Sequence, residues 1–240
     1  MSQAKCGKLF GIGVGPGDPD LLTVKAVKLL QQTDVVCIPR SRAGSDSAAM
    51  KAARPYVSAA AEILEVSTPM IRDAAALDAE WRRGAEQIAD RLLAGKNVAF
   101  ITIGDSMLFS TYTYLMKKVR ELIPAVAVES VSGITSFSAA AAHLNASLAE
   151  GGEQLAIIPA IDDPQSLKTV FAQFDNAVLM KVAGKYDQIV DVLTELGLKD
   201  KAVYISKLGY PEQLVSYDLD SLRGSKLEYL SLILVKRNGF

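Results

Sequence analysis

The sequence predicts two α/β domains, the first on an open, mostly parallel sheet and the second on a mixed sheet. Three observations predict it. Short β-branched runs bounded by Gly, Pro, Asp or Asn alternate with stretches of helical periodicity, the pattern of strands joined through crossover helices. The alternation pauses at Glu121-Leu122-Ile123-Pro124 and then restarts, which sets the expected domains at 1–121 and 122–240. The last two β runs have only short turns and no room for a crossover helix, so each is expected to pair antiparallel with some other strand.

In chain order, strands are expected at Lys8–Ile12, Asp34–Ile38, Glu62–Val66 and Asn97–Thr102, and the restart after the pause opens with one at Val126–Val131. A helix between Thr23 and Gln32 places Ala26, Leu29 and Leu30 inward, with Thr23 or Asp18 as N-cap and Pro19 able to precede it. From about Asp78 to Leu93, the residues Trp81, Ala85, Ile88 and Leu92 recur on one face of a 3.6-residue period. In the second half, strands are expected at Gln154–Ile158, Ala177–Lys181, Lys201–Ser206, Gln213–Asp218 and Tyr229–Lys236, with a helix near Tyr186–Leu196. Open α/β sheets bind ligands beyond the carboxyl ends of their strands, so the expected site is a cleft between the two halves.

Composition narrows the function. Of 240 residues, 50% are hydrophobic and 22% charged, which is globular rather than disordered, and the net charge of −1 argues against a nucleic-acid binder working through a general basic surface. The apolar runs are far shorter than the roughly 20 residues that span a bilayer, and the polar residues Lys5, Gly7 and Lys8 break up any secretory leader. Two cysteines, Cys6 and Cys37, show no metal spacing, and Cys37 lies in an apolar run. A cytoplasmic protein is expected. With His143 the only histidine, a histidine-based metal centre is not expected, and no metal site is assigned.

The most informative stretch is Gly11-Ile12-Gly13-Val14-Gly15-Pro16-Gly17-Asp18-Pro19-Asp20, just after the first strand. Such a turn lets main chain approach a ligand or another main chain closely. It does not fit the dinucleotide fingerprint, whose third glycine falls on Pro16 or Asp18, and no Gly-Lys pair here has the glycine and hydroxyl residue of a phosphate loop. Two further loops follow predicted strands: Ile103-Gly104-Asp105-Ser106-Met107-Leu108-Phe109 and Ser132-Gly133-Ile134-Thr135-Ser136. Taken singly, Gly104-Asp105 reads equally as a turn with the cap of the following helix, and Ser132-Gly133 as a helix start. Similarly, His143 reads as a packing residue, and Met107, Met116 and Met180 read as core fillers.

Taken in order, Gly-x-Gly-x-Gly-Pro-Gly-Asp-Pro-Asp-Leu-Leu-Thr, Gly-Asp-Ser-Met-Leu-Phe-Ser and Val-Ser-Gly-Ile-Thr-Ser-Phe resemble the tetrapyrrole (corrin and porphyrin) methyltransferases across essentially the whole chain. The continuations Met-Leu-Phe-Ser-Thr-Tyr and Val-Ser-Gly-Ile-Thr-Ser are most similar to the branch acting at C-20 of precorrin-2 or cobalt-factor II in cobalamin synthesis. The resemblance implies two α/β domains with S-adenosylmethionine folded into the cleft between them, a tetrapyrrole substrate, and a homodimer. It also implies site residues. Ile103, Gly104, Asp105, Met107 and Leu108 match the loop holding the methionine end of the cofactor, and Thr135 and Ser136 match a contact pair after the fifth strand. Met180 and Lys181 match the strand end flanking the adenosine, although Lys181 stands where related enzymes carry an apolar residue. The segment Leu208-Gly209-Tyr210-Pro211-Glu212-Gln213 resembles the one closing over the adenine, with Tyr210 in it and Leu230 lining the same pocket. By the same analogy Gly15, Pro16 and Asp18 face the tetrapyrrole.

The chemistry agrees. A sulfonium carries its own leaving group, so methyl transfer to an electron-rich ring carbon needs alignment and desolvation more than acid–base groups. No catalytic residue is assigned, and Asp18, Asp105, Tyr112 and Tyr210 are the groups to test as carriers of the C-20 proton. The substrate's fringe of carboxylates calls for cations, and the segment Pro39–Arg54 holds Arg40, Arg42, Lys51 and Arg54 against one acid, Asp46. Arg40 and Arg42 are the expected carboxylate clamp, the alternative being a solvated charged face. Three other functions stay open at this point: methylation elsewhere on the ring, an NADP-dependent oxidoreductase with Arg40 on the 2′-phosphate, and a non-catalytic regulator that binds a tetrapyrrole or another metabolite.

Overall fold

Strand β1 (Lys8–Gly13) lies at the centre of the first sheet of the computed structural model, which describes residues 6–40, 47–69, 73–159 and 161–240. Beside it are β2 (Val35–Arg40), β3 (Glu62–Ser67), β4 (Val98–Thr102) and β5 (Ala127–Val131), in the order β3-β2-β4-β1-β5. Every pair is parallel.

The helices follow from this order. Helices α1 (Val24–Gln32) and α2 (Ala48–Ala53) carry the chain from β1 to β2 to β3 in one direction, while α3 (Ala74–Leu93) and α4 (Tyr112–Leu122) carry it back. Right-handed crossovers therefore put the two pairs on opposite faces. The core divides accordingly. Phe10, Ile12, Val36 and Ile101 pack with Ala26 and Leu30 of α1 and Ala49 and Ala52 of α2, whereas Leu9, Val35 and Phe100 pack with Ile88 and Leu92 of α3 and Leu115 of α4. Alternate residues of each strand serve opposite faces, the period of a sheet covered on both sides.

The second sheet holds β6 (Leu155–Ile158), β7 (Asn176–Met180), β8 (Ala202–Ser206), β9 (Leu214–Ser216) and β10 (Ser231–Lys236), ordered β6-β7-β10-β8-β9. Only β6 and β7 are parallel. The final strand β10 runs antiparallel between β7 and β8 and is buried along its whole length; it reaches that place by crossing over β8 from β9, with which it does not pair. Helices α6 (Ser166–Gln173) and α7 (Tyr186–Glu195) cover one face through Leu167, Phe171, Ile189 and Leu193, and α5 (Ser136–Leu144) opens this half.

The compact units are 1–135 and 136–240. The division lies beyond the expected 121/122 because β5 pairs with β1, so the first sheet takes in one more strand after the pause in the sequence. Thr23 is the cap of α1, its hydroxyl accepting from Ala26 N, while Asp18 caps the 3-10 turn Pro19–Leu21. Among the described residues, no helix is long and apolar enough to cross a membrane. Cys37 is buried, and burial pushes its thiol pKa far up; Cys6 is exposed.

Candidate functional site

In the first unit, the carboxyl ends of β4, β1 and β5 lie side by side, with Gly13 opposite Thr102 and Ile12 opposite Val131. Connections leave β1 and β4 in opposite directions, which makes their junction the switch point where open sheets bind ligands. Main-chain bonds tie the loops past these ends together. Gly15 N donates to Gly104 O at 3.2 Å, and Gly104 N returns a bond to Gly15 O at 2.7 Å. The third loop joins through a side chain: one carboxylate oxygen of Asp105 accepts from Gly133 N at 2.9 Å and the other from Met107 N at 2.7 Å. Beneath it, the buried Ser106 hydroxyl donates to Val131 O at 3.0 Å.

Glycine is required where these loops meet. A Cβ on Gly133 would sit 2.1 Å from Gly104 O and 2.7 Å from Gly13 C, both main-chain atoms that cannot move aside. Gly104 is the converse case: its φ of +72° suits glycine, yet a Cβ there would meet no atom within 4 Å. The loops thus pack against one another on one side and offer Gly104 main chain to open space on the other. The space above Gly104 is a cradle that a side chain would fill.

Most of the loop-borne candidates lie in the loops so joined. Ile103, Asp105 and Leu108 are half-buried; Met107 is exposed rather than core-filling, and so is Phe109, which holds a left-handed φ of 50°. Thr135 and Ser136 are consecutive and half-buried, Ser136 being the first residue of α5. Asp105 does not cap the next helix, because α4 begins only at Tyr112 and both carboxylate oxygens are engaged within the loops. Gly15 and Pro16 are buried, and Asp18, half-buried, accepts from Asp20 N at 2.9 Å. Arg40, at the end of β2, pairs with Glu65 of β3, while its buried Nε has no partner among the described residues. Arg42 lies outside the described residues.

Tyr112 is fully buried. A Cβ on Gly11 would lie 2.1 Å from its ring, so it props the underside of β1. Burial raises its phenol pKa, and its hydroxyl lies 3.5 Å from Ser130 Oγ. The position is structural and unsuited to carrying a substrate proton.

In the second unit the remaining candidates gather at one edge of the sheet. Because β10 runs antiparallel between β7 and β8, it begins where they end. Lys181 N donates to Ser231 O at 3.0 Å, and Lys207 N donates to Leu230 O at 2.9 Å. Met180, Lys181, Leu230 and the segment carrying Tyr210 therefore share that edge. Lys181 and Lys207, each one residue past a strand, adopt left-handed φ values of 56° and 47°. Non-glycine residues in that region are uncommon and store local strain, a frequent mark of functional loops. Burial raises the Tyr210 phenol pKa. Ser231, absent from the expected site, is buried with its hydroxyl unpartnered among the described residues. Nothing in the sequence sets Ser231 apart from other strand serines; only the register opposite Ser206 shows that it stands at the edge. No cluster of three His, Cys, Asp or Glu able to hold a metal occurs among the described residues.

The chain is similar to known proteins along most of its length. The family model for tetrapyrrole (corrin/porphyrin) methylases matches residues 8–222. A cobalt-precorrin-2 C(20)-methyltransferase of Salmonella typhimurium is 35% identical, over 96% of this chain and 97% of its own. A precorrin-2 C(20)-methyltransferase of Sinorhizobium sp is 31% identical, over 98% and 97% respectively. Among solved structures, a cobalt precorrin-4 methyltransferase superposes with a TM-score of 0.72 at 25% identity, covering 95% of this chain and 94% of that one. The fold also matches a uroporphyrin-III C-methyltransferase of Thermus thermophilus, solved with S-adenosyl homocysteine, at a TM-score of 0.66 and 21% identity, over 96% and 97%.

Proposed function

Since the chain belongs to the tetrapyrrole (corrin/porphyrin) methylases, we propose that it methylates C-20 of precorrin-2 or its cobalt-loaded form in cobalamin biosynthesis. It is an S-adenosylmethionine-dependent methyltransferase. The observation that carries the choice of C-20 is identity of 35% with a C(20)-methyltransferase along nearly the full length of both chains. Both the dinucleotide alternative and methylation elsewhere on the ring give way to it.

The residues fit the cofactor. Its amino-acid end needs main-chain partners at close range, which Ile103, Gly104 and Asp105 provide through a turn open at Gly104, with Met107, Leu108, Thr135 and Ser136 as further contacts in this proposal. Its adenosine needs an apolar wall and a few polar groups, supplied by Met180, Tyr210 and Leu230, Lys181 main chain and the unpartnered Ser231 hydroxyl. When bound, the sulfonium supplies an electrophilic methyl group and its own leaving group. The chain's task is to orient that group and exclude water. Asp105 does so indirectly, by fixing the loop after β4 against the loop after β5. Arg40 is the carboxylate contact on the substrate side, its Nε without a partner among the described residues; Arg42 shares that role in this proposal, and Gly15, Pro16 and Asp18 are further substrate contacts. A cytoplasmic homodimer completes the proposal: free cysteines suit a reducing compartment, and dimerisation follows the family resemblance.

The test is anaerobic incubation with methyl-labelled S-adenosylmethionine and either metal-free or cobalt-loaded substrate, followed by NMR assignment of the labelled carbon. One label at C-20 is expected. A label at another ring position overturns the assignment to C-20.

A further inference from the structure

We infer that His143 and Gln213 are positioning residues that hold the segment 207–213, and the Tyr210 it carries, in place only while the imidazole of His143 is neutral. The inference rests on the reading of that segment as the cover of the cofactor's adenosine.

The hydrogen bonds fix the orientation of each group. Gly209 N donates to Gln213 Oε1 at 3.0 Å, which settles the acceptor end of the amide and turns its Nε2 toward α5. There Gln213 Nε2 meets His143 Nε2 at 2.8 Å. An amide nitrogen only donates, so His143 Nε2 must accept, and the ring proton sits on Nδ1. A second proton would set N–H against N–H and break the bond.

The consequence is confined to the segment. Its own turns, Tyr210 N to Lys207 O and Gln213 N to Tyr210 O, both at 3.0 Å, give it shape, while the Gln213 amide ties it to α5. It also contains left-handed Lys207 and Gly209, and β9 starts directly after it. The charged groups on the elements that meet here are few. Helix α5 carries none besides His143, and the segment brings Glu212 and Lys207, the latter ion-paired with Glu228 at 3.0 Å.

The test compares wild type, His143→Gln and Gln213→Glu between about pH 8 and about pH 5.5, a range across which histidine changes charge. In wild type, acidification should raise KM for S-adenosylmethionine roughly two- to tenfold with little change in kcat, the span expected for one neutral hydrogen bond. His143→Gln keeps an acceptor at the position and should flatten the dependence. Gln213→Glu should invert it, because a carboxylate can accept from Gly209 N and from an imidazolium together. Amide exchange at Gly209 without cofactor reads the bond independently: protection should fall with acid in wild type and rise in Gln213→Glu. Protection that moves alike in the two proteins overturns the inference. If protection follows the predicted inversion while KM stays flat, the bond exists but the segment does not cover the adenosine, and the positioning role is overturned.

Discussion

Asp105 and Gly104 are neighbours with opposite tasks. The Asp105 carboxylate is saturated by two main-chain N–H groups from separate loops, so its function is to join them. Asp105→Asn keeps one acceptor but turns an NH2 toward Met107 N or Gly133 N. The expected cost is about 1–3 kcal/mol in loop order, read as a roughly tenfold higher KM for S-adenosylmethionine with kcat less affected. Gly104 faces open space with a left-handed backbone. Alanine there carries a strain of about 1–3 kcal/mol without a clash, so the protein should fold with a lowered melting temperature, while cofactor affinity falls by more than strain alone explains. Equal losses in stability and affinity would remove Gly104 from the cofactor's path. At this scale the sequence was only partly legible. Gly-Asp reads as a turn from its composition, but the bond from Asp105 to Gly133 spans 28 positions and has no local signature. The same holds for His143, which reads as a packing residue until Gln213, 70 positions away, comes beside it.

At the scale of elements, strand β5 is fastened at its exposed side by Glu129, which pairs with Lys8 of β1 and with Lys25 of α1 at 2.5 Å. Hydrogen bonds from Lys25 and Lys8 hold the Glu129 carboxyl down from 4.5 to about 2. A depressed carboxylate pKa adds stability above the unfolded value and loses it as pH falls through the folded one. Glu129→Gln should therefore lower the melting temperature at neutral pH, with the gap to wild type closing between about pH 4.5 and about pH 2 and shrinking in high salt. A gap unchanged across that range would show that the charge contributes nothing. A different result is expected at the loop junction, where Gly133→Ala drives a methyl into the main chain of Gly104 and Gly13. It should lose stability by about 1–3 kcal/mol as well as cofactor affinity, measured by denaturant unfolding beside titration. The strands were readable because β-branched runs ended at Gly, Pro, Asp or Asn, and each expected strand has a counterpart within a few residues of its limits. Helix α2 has no counterpart in the reading. Its six residues, Ala-Ala-Met-Lys-Ala-Ala, are too short and too uniform to show a stripe.

For the molecule as a whole, the sequence showed two α/β halves and the sense of each sheet, but placed their division early. The pause at Pro124 is a turn within the first unit, because pairing of β5 with β1 is a long-range contact that local composition does not display. The family was legible because its motifs sit at strand ends, where main-chain geometry restricts residue choice. In both units, loops past strand ends carry left-handed residues: Gly15 after β1, Gly104 and Phe109 after β4, Lys181 after β7 and Lys207 after β8. In the proposed function, main chain at Gly104 receives the methyl donor. Calorimetric titration of wild type and Gly104→Val with S-adenosylhomocysteine tests it most directly, with circular dichroism to confirm that the variant is folded. Saturable binding to wild type and none to the folded variant is the expected result. Equal affinity in the two proteins would contradict it.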